Sequence, residues 1–107
     1  MDEGVINLVN YFNSVGLKTY MSCEGHPERL SQHLFWISFD NSVTSSDIVN
    51  FVKNHSINNS CAIQGRFANR LCAILPNGEP WFQWHYFAAN KVDAQEDYEY
   101  FISIKYS

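Results

Sequence analysis

Ser22-Cys23-Glu24-Gly25-His26 sets a hydroxyl, a thiol, a carboxylate and an imidazole around one glycine, just ahead of Pro27. Three kinds of chemistry use such a cluster. Cys23 and His26 have the Cys-x-x-His spacing of a metal turn, but a structural zinc needs a second pair of ligands. Cys61, Cys72, His33 and His85 stand singly, so no metal site is expected. A thiolate beside an imidazole is a nucleophile with its base, provided the thiol pKa is lowered and the base reaches the sulfur. His26 is the near candidate, and His85 could face the same pocket from a strand. The third use asks for less. Successive N–H groups in a glycine turn form a concave anion-binding nest, and Ser22 adds a hydroxyl. Ligand contact by Ser22, Cys23, Gly25 and His26 is the preferred reading.

Anionic ligands also need cations. Arg66 and Arg70 flank an expected hairpin turn, and one or two guanidiniums suffice for a small phosphate. The seven basic residues are otherwise scattered in a chain of net charge −4, with no Lys/Arg run to follow a phosphate backbone. Duplex nucleic acid is therefore not an expected partner. Trp81 or Trp84 could stack on a planar base, as aromatic sheets do with single strands.

At 107 residues the chain is long enough for one domain, spanning 1–107, with a single core. Its 8 Phe, 6 Tyr and 3 Trp exceed what one such core requires, so some are expected to line a pocket or interface. No apolar run is long enough to cross a membrane as a helix. The acidic Met1-Asp2-Glu3 start does not resemble a secretory leader, and 3 scattered cysteines suit free thiols, so a cytoplasmic protein is expected. No cofactor is expected either.

The elements that would position these groups follow from periodicity. Asp2 and Glu3 can cap a helix with Val5, Leu8, Val9 and Phe12 on one face, ended by Gly16 with Leu17 as its hydrophobic follower. Lys18 to Met21 reads as a short strand leading into a loop from Ser22 to Gln32. His33 to Phe39 carries large apolar groups on both faces, as a central strand does. Asp40-Asn41-Ser42 turns the chain into a second helix, capped at Thr44, Ser45 or Ser46, with Ile48, Val49 and Val52 inward and Asn58-Asn59 as its end. Cys61 to Phe67 and Arg70 to Leu75 read as a hairpin joined at Ala68-Asn69. Pro76 to Pro80 is a strong turn, and Trp81 to Ala88 a fifth strand. Asp93 and Glu96 have capping-box spacing for a last helix with Tyr98, Phe101 and Ile102 inward. Its Glu96, Asp97 and Glu99 would form an acidic face.

This order predicts an α+β fold: a mostly antiparallel sheet of about five strands with three helices packed on one face. The other face would be open and aromatic. Such a face is either a binding surface or an oligomer interface, so a homo-oligomer stays among the expected partners.

The segment Ile6 to His26 resembles the start of the tRNA wybutosine-synthesising methyltransferase-like family, in which a helix leads to a strand ending in Thr-x-x-Ser-Cys-x-Gly-Arg. Thr19, Ser22, Cys23 and Gly25 match, and His26 stands where the family has Arg. The same helix–strand–Ser-Cys-x-Gly-His opening also resembles that of small phage and bacterial proteins. The resemblance covers about 20 residues, and no Gly-x-Gly cofactor turn follows. It implies a pocket around Ser22, Cys23, Gly25 and His26 that faces a nucleotide-like ligand, held without turnover.

The preferred function is thus binding of a small polar, nucleotide-like ligand. The alternatives are a small enzyme using Cys23 with His26 or His85 on a nucleoside or acyl substrate, and an interaction module or inhibitor with an acidic, aromatic surface.

Overall fold

A computed structural model of the chain describes residues 3–23, 35–55 and 66–105. Its first helix, α1 (Glu3–Ser14), ends as the glycine signal predicts. Gly16 has φ +92°, its N–H donates to the carbonyl of Asn13, and the Leu17 N–H donates to that of Phe12. This double bond pattern satisfies the last free carbonyls, and Leu17 enters the core behind it.

The chain then runs through β1 (Thr19–Cys23), β2 (Phe35–Phe39), α2 (Ser45–His55), β3 (Phe67–Ile74), β4 (Pro80–Ala88) and α3 (Lys91–Lys105). The strands lie in the order β1-β2-β4-β3, and every neighbouring pair is antiparallel. The class is α+β, with four strands described rather than five.

The expected first hairpin does not close where the sequence suggests. The hairpin expected at Ala68-Asn69 is absent because both residues continue β3, opposite His85 and Trp84. Ala-Asn lacks the glycine that a tight two-residue turn favours. The reversal comes instead at Pro76-Asn77-Gly78, where Gly78 takes φ +86° and Leu75 accepts from its N–H. Residues 61–65 of the expected first arm lie outside the described set, as do Asn58 and Asn59.

Caps decide the helix starts. Thr44 and Asp47 bond reciprocally across the first turn of α2, with Asp47 N–H to Thr44 Oγ1 at 3.2 Å and Thr44 N–H to Asp47 Oδ2 at 2.9 Å. The last helix starts one turn before the expected cap. Asn90 takes the Asp93 N–H at 2.9 Å, so Asp93 lies inside the first turn. In α2 the buried residues are Ile48, Phe51 and His55, whereas Val49 points to solvent. Phe51 and His55 are spaced by four and share the face that the larger ring selects.

The three helices of the described residues cover one sheet face. The core joins Leu8, Phe12, Phe51 and Phe101 from the helices to Phe35, Ile37, Phe39, Phe67 and Tyr86 from alternate strand positions. Phe12 sits at its centre, with ring centroids 5.2 Å from Phe39 and 5.5 Å from both Phe51 and Tyr86. The aromatic surplus is therefore divided: many rings fill this core, and a smaller set stands on the opposite face.

Candidate functional site on the open sheet face

Alternation along β4 places Trp81, Gln83, His85 and Phe87 away from the helices, because Tyr86 between them is fully buried in the core. Register brings Arg70 of β3 opposite Gln83, and Ser38 of β2 opposite His85. Trp81, Gln83, His85, Arg70 and Ser38, together with Trp36 and the β1 pair Tyr20 and Met21, border a depression of about 430 Å³. Ser38 and Gln83 form its floor, 2% and 6% exposed.

Both floor oxygens have partners. Ser38 Oγ accepts from the Met21 N–H at 3.1 Å and approaches the Met21 carbonyl at 3.3 Å, in the stretch where a bulge shifts β1 against β2. Gln83 Oε1 accepts from the Cys72 thiol at 3.4 Å. Cys72 itself is exposed, beside the bulge between Leu71 and Ala73.

The walls are aromatic and cationic. The Arg70 guanidinium lies 5.3 Å from the centre of the Phe87 ring, a cation–π arrangement. No carboxylate of the described residues pairs with it; the Arg66 guanidinium, by contrast, holds Asp97. His85 stacks on Phe87 with centroids 5.5 Å apart and planes at 11°, and stands 6.0 Å from Trp36. Its Nδ1 lies 3.0 Å from the Gln83 carbonyl. A carbonyl only accepts, so Nδ1 carries the hydrogen and Nε2 of the neutral ring is left as an acceptor. Burial is the largest effect and pushes the imidazole pKa below 6.5; the Gln83 bond opposes it, and the Arg70 cation adds a smaller lowering. His85 is thus neutral at pH 7. The Trp81 indole N–H is buried in the wall with no hydrogen-bond partner among the described residues.

Of the residues singled out in the sequence, Arg70, Trp81 and His85 come together here. Trp84 does not: it faces the helices and packs against the core. Arg66 is also committed elsewhere, its Nε bonding Asp97 Oδ2 at 2.8 Å. That bond removes Asp97 from the expected acidic face, because the carboxylate turns inward and is only 8% exposed. Ser22 is not in the expected loop but in β1, opposite the buried Ile37. It borders a smaller depression of about 290 Å³ with Val9 and Thr19. Cys23 stands opposite Trp36 in the ladder. Gly25, His26, His33 and Cys61 lie outside the described residues.

Gln83 on β4 was missed as a site residue, as was Trp36 on β2. The signal was present in the strict alternation of β4, but choosing its open face required knowing that Tyr86 is core.

Among the described residues no group of three His, Cys, Asp or Glu could hold a metal, and no helix is long and apolar enough to cross a membrane. In comparisons with known proteins the chain matches no family model, no curated protein and no solved structure.

Proposed function

We propose that the open sheet face binds a small, planar, anionic ligand of the nucleotide class and holds it without turnover. The observation that carries this reading is the Arg70 guanidinium, held by no carboxylate among the described residues, set among Trp36, Trp81 and His85 around one depression. Arg70 would take the phosphate through charge-assisted hydrogen bonds. The indoles would flank the base, since every base offers a π-face to stack. His85 Nε2 would accept from a base amino or imide N–H, and a small rotation of Trp81 would bring its unpartnered indole N–H to a base acceptor.

The resemblance of Ile6 to His26 to a nucleotide-facing opening supports the same ligand class, with Ser22 and Cys23 on β1 at the neighbouring edge of the sheet. The enzyme reading needs a base at the Cys23 sulfur, and His26 is outside the described residues.

A panel of mononucleotides, cyclic nucleotides and dinucleotides, read by thermal shift and by quenching of tryptophan fluorescence, tests the proposal. Binding stabilises the folded state by RT ln(1 + [L]/Kd), so a saturable rise in Tm with quenching is expected. A panel that moves neither signal sinks the reading.

A further inference from the structure

We infer that β3 pairs antiparallel with the β3 of a second copy, about a two-fold axis at Asn69, joining two four-stranded sheets into one. This stands whether or not the depression holds a nucleotide.

The strand is built for it. β3 is the last strand of the sheet, so one side of its backbone has no neighbouring strand among the described residues. The Arg66 carbonyl accepts from the Phe87 N–H at 2.7 Å. Ladder alternation then turns the main-chain groups of Ala68 and Arg70 toward β4, and those of Phe67, Asn69 and Leu71 outward. Edge strands are usually protected by Lys, Pro, inward charge or bulges, and the one bulge of β3 falls beyond Leu71, outside the stretch from Phe67 to Leu71. The stretch Phe-Ala-Asn-Arg-Leu-Cys-Ala-Ile has one charge and no proline.

Charge selects the register. With the axis at Arg70, the two guanidiniums would face each other directly; at Ala68, Arg66 would face the second copy's Arg70. Like charges directly opposite are destabilising. An axis at Leu71 would force pairing through the bulge between Leu71 and Ala73. Only the axis at Asn69 sets Ala68 opposite Arg70 and Phe67 opposite Leu71, each twice, with Asn69 opposite itself.

The same arrangement covers exposed apolar surface. Leu71 is 53% exposed and its cross-strand neighbour Phe82 is 48% exposed, because the hairpin runs past the helices. Phe67, at the other end, lies in the core. Antiparallel pairing brings the second copy's helix-covered end alongside this bare end, so Leu71 packs against the facing Phe67. On the open face, the two depressions approach each other across the axis.

Sedimentation of the full chain should give a mass near twice 12.4 kDa, falling to the single value on dilution. Hydrogen-bonded antiparallel partners have Cα atoms about 5.5 Å apart, inside the disulfide range. Asn69→Cys in a Cys72→Ser background should therefore form a disulfide-linked dimer roughly tenfold faster than Cys72→Ser alone. Leu71→Cys in that background should remain at the control rate. Leu71→Lys, at an exposed position, should shift the chain to monomer with its circular dichroism unchanged. A monomer mass across the soluble concentration range overturns the inference, as does Leu71→Cys cross-linking faster than Asn69→Cys.

Discussion

The Tyr86 hydroxyl donates to Asp97 Oδ2 at 2.5 Å, tying β4 to α3 inside the core. The same oxygen accepts from Arg66 Nε at 2.8 Å, so the start of β3 is held to the same helix. Burial and then the bond to Asp97 drive the Tyr86 phenol pKa far above its usual range. It stays protonated and remains a donor throughout the stable pH range.

Tyr86→Phe should therefore lower stability by about 1.5–3 kcal/mol, the worth of a hydrogen bond to a charged group. Asp97→Asn should cost at least as much, since it weakens both bonds at once. The double variant should fall short of the sum, because the two changes remove one shared interaction. Urea unfolding of the three variants checks this, and strict additivity would contradict the network.

Gly16→Ala should destabilise the chain by about 1–2 kcal/mol. A Cβ at this position meets no atom within 4 Å, so the cost is entirely that of holding an L-residue at φ +92°. Gly16→Asn should recover part of the loss, because asparagine tolerates the left-handed region better than alanine. Denaturant midpoints measured at constant slope would show the ranking Gly, Asn, Ala.

The pKa of His85 sets a pH dependence whose sign follows from proton binding. The folded state holds the imidazole below 6.5, while the unfolded chain titrates near 6.5. In the acid range just below 6.5 the unfolded state binds more protons, so stability falls as pH falls toward the folded pKa. The contribution is complete above 6.5. His85→Gln removes it, so the stability gap between wild type and variant should narrow or reverse on acidification from pH 7. Parallel melts across that interval would reveal a constant gap if the imidazole were freely solvated.

Arg70→Gln should weaken nucleotide binding by roughly ten- to a hundredfold, through loss of charge-assisted bonds worth about 1.5–3 kcal/mol. Melting of the free protein should barely change, because this side chain is exposed. Arg66→Gln should do the opposite, lowering stability while leaving affinity intact. Titration calorimetry beside thermal melts separates the two arginines, and equal behaviour would argue against the open-face site.

These contrasts show what was legible in the sequence. The helix end at Gly16, the core face of α1 and the central position of β2 follow from local chemistry, and the structure agrees with each. The even spacing of aromatics along β4 was equally plain. Its polarity was not, because both faces carry large rings and only the packing of Tyr86 under the helices distinguishes them. Arg66 and Arg70 looked equivalent for a related reason. They lie on the same side of the chain's alternation, but only Arg66 comes within reach of a carboxylate 31 residues later. Ala68-Asn69 suggested a turn because the stronger signal at Asn77-Gly78 did not exclude a second one nearby.

The strand order also has a consequence for how the chain is made. β2 is flanked by β1 and β4, and its contact with β4 spans α2 and all of β3. Such distant pairings are slow to close, since the intervening loop entropy is lost before they contribute. During synthesis, β1 and β2 emerge as a hairpin whose apolar face, Phe35, Ile37 and Phe39, has no second central strand to lean on until residue 88 appears. The nascent chain must therefore shelter that hairpin under α1 and α2, and a product truncated before β4 would have neither the finished core nor the opposite face.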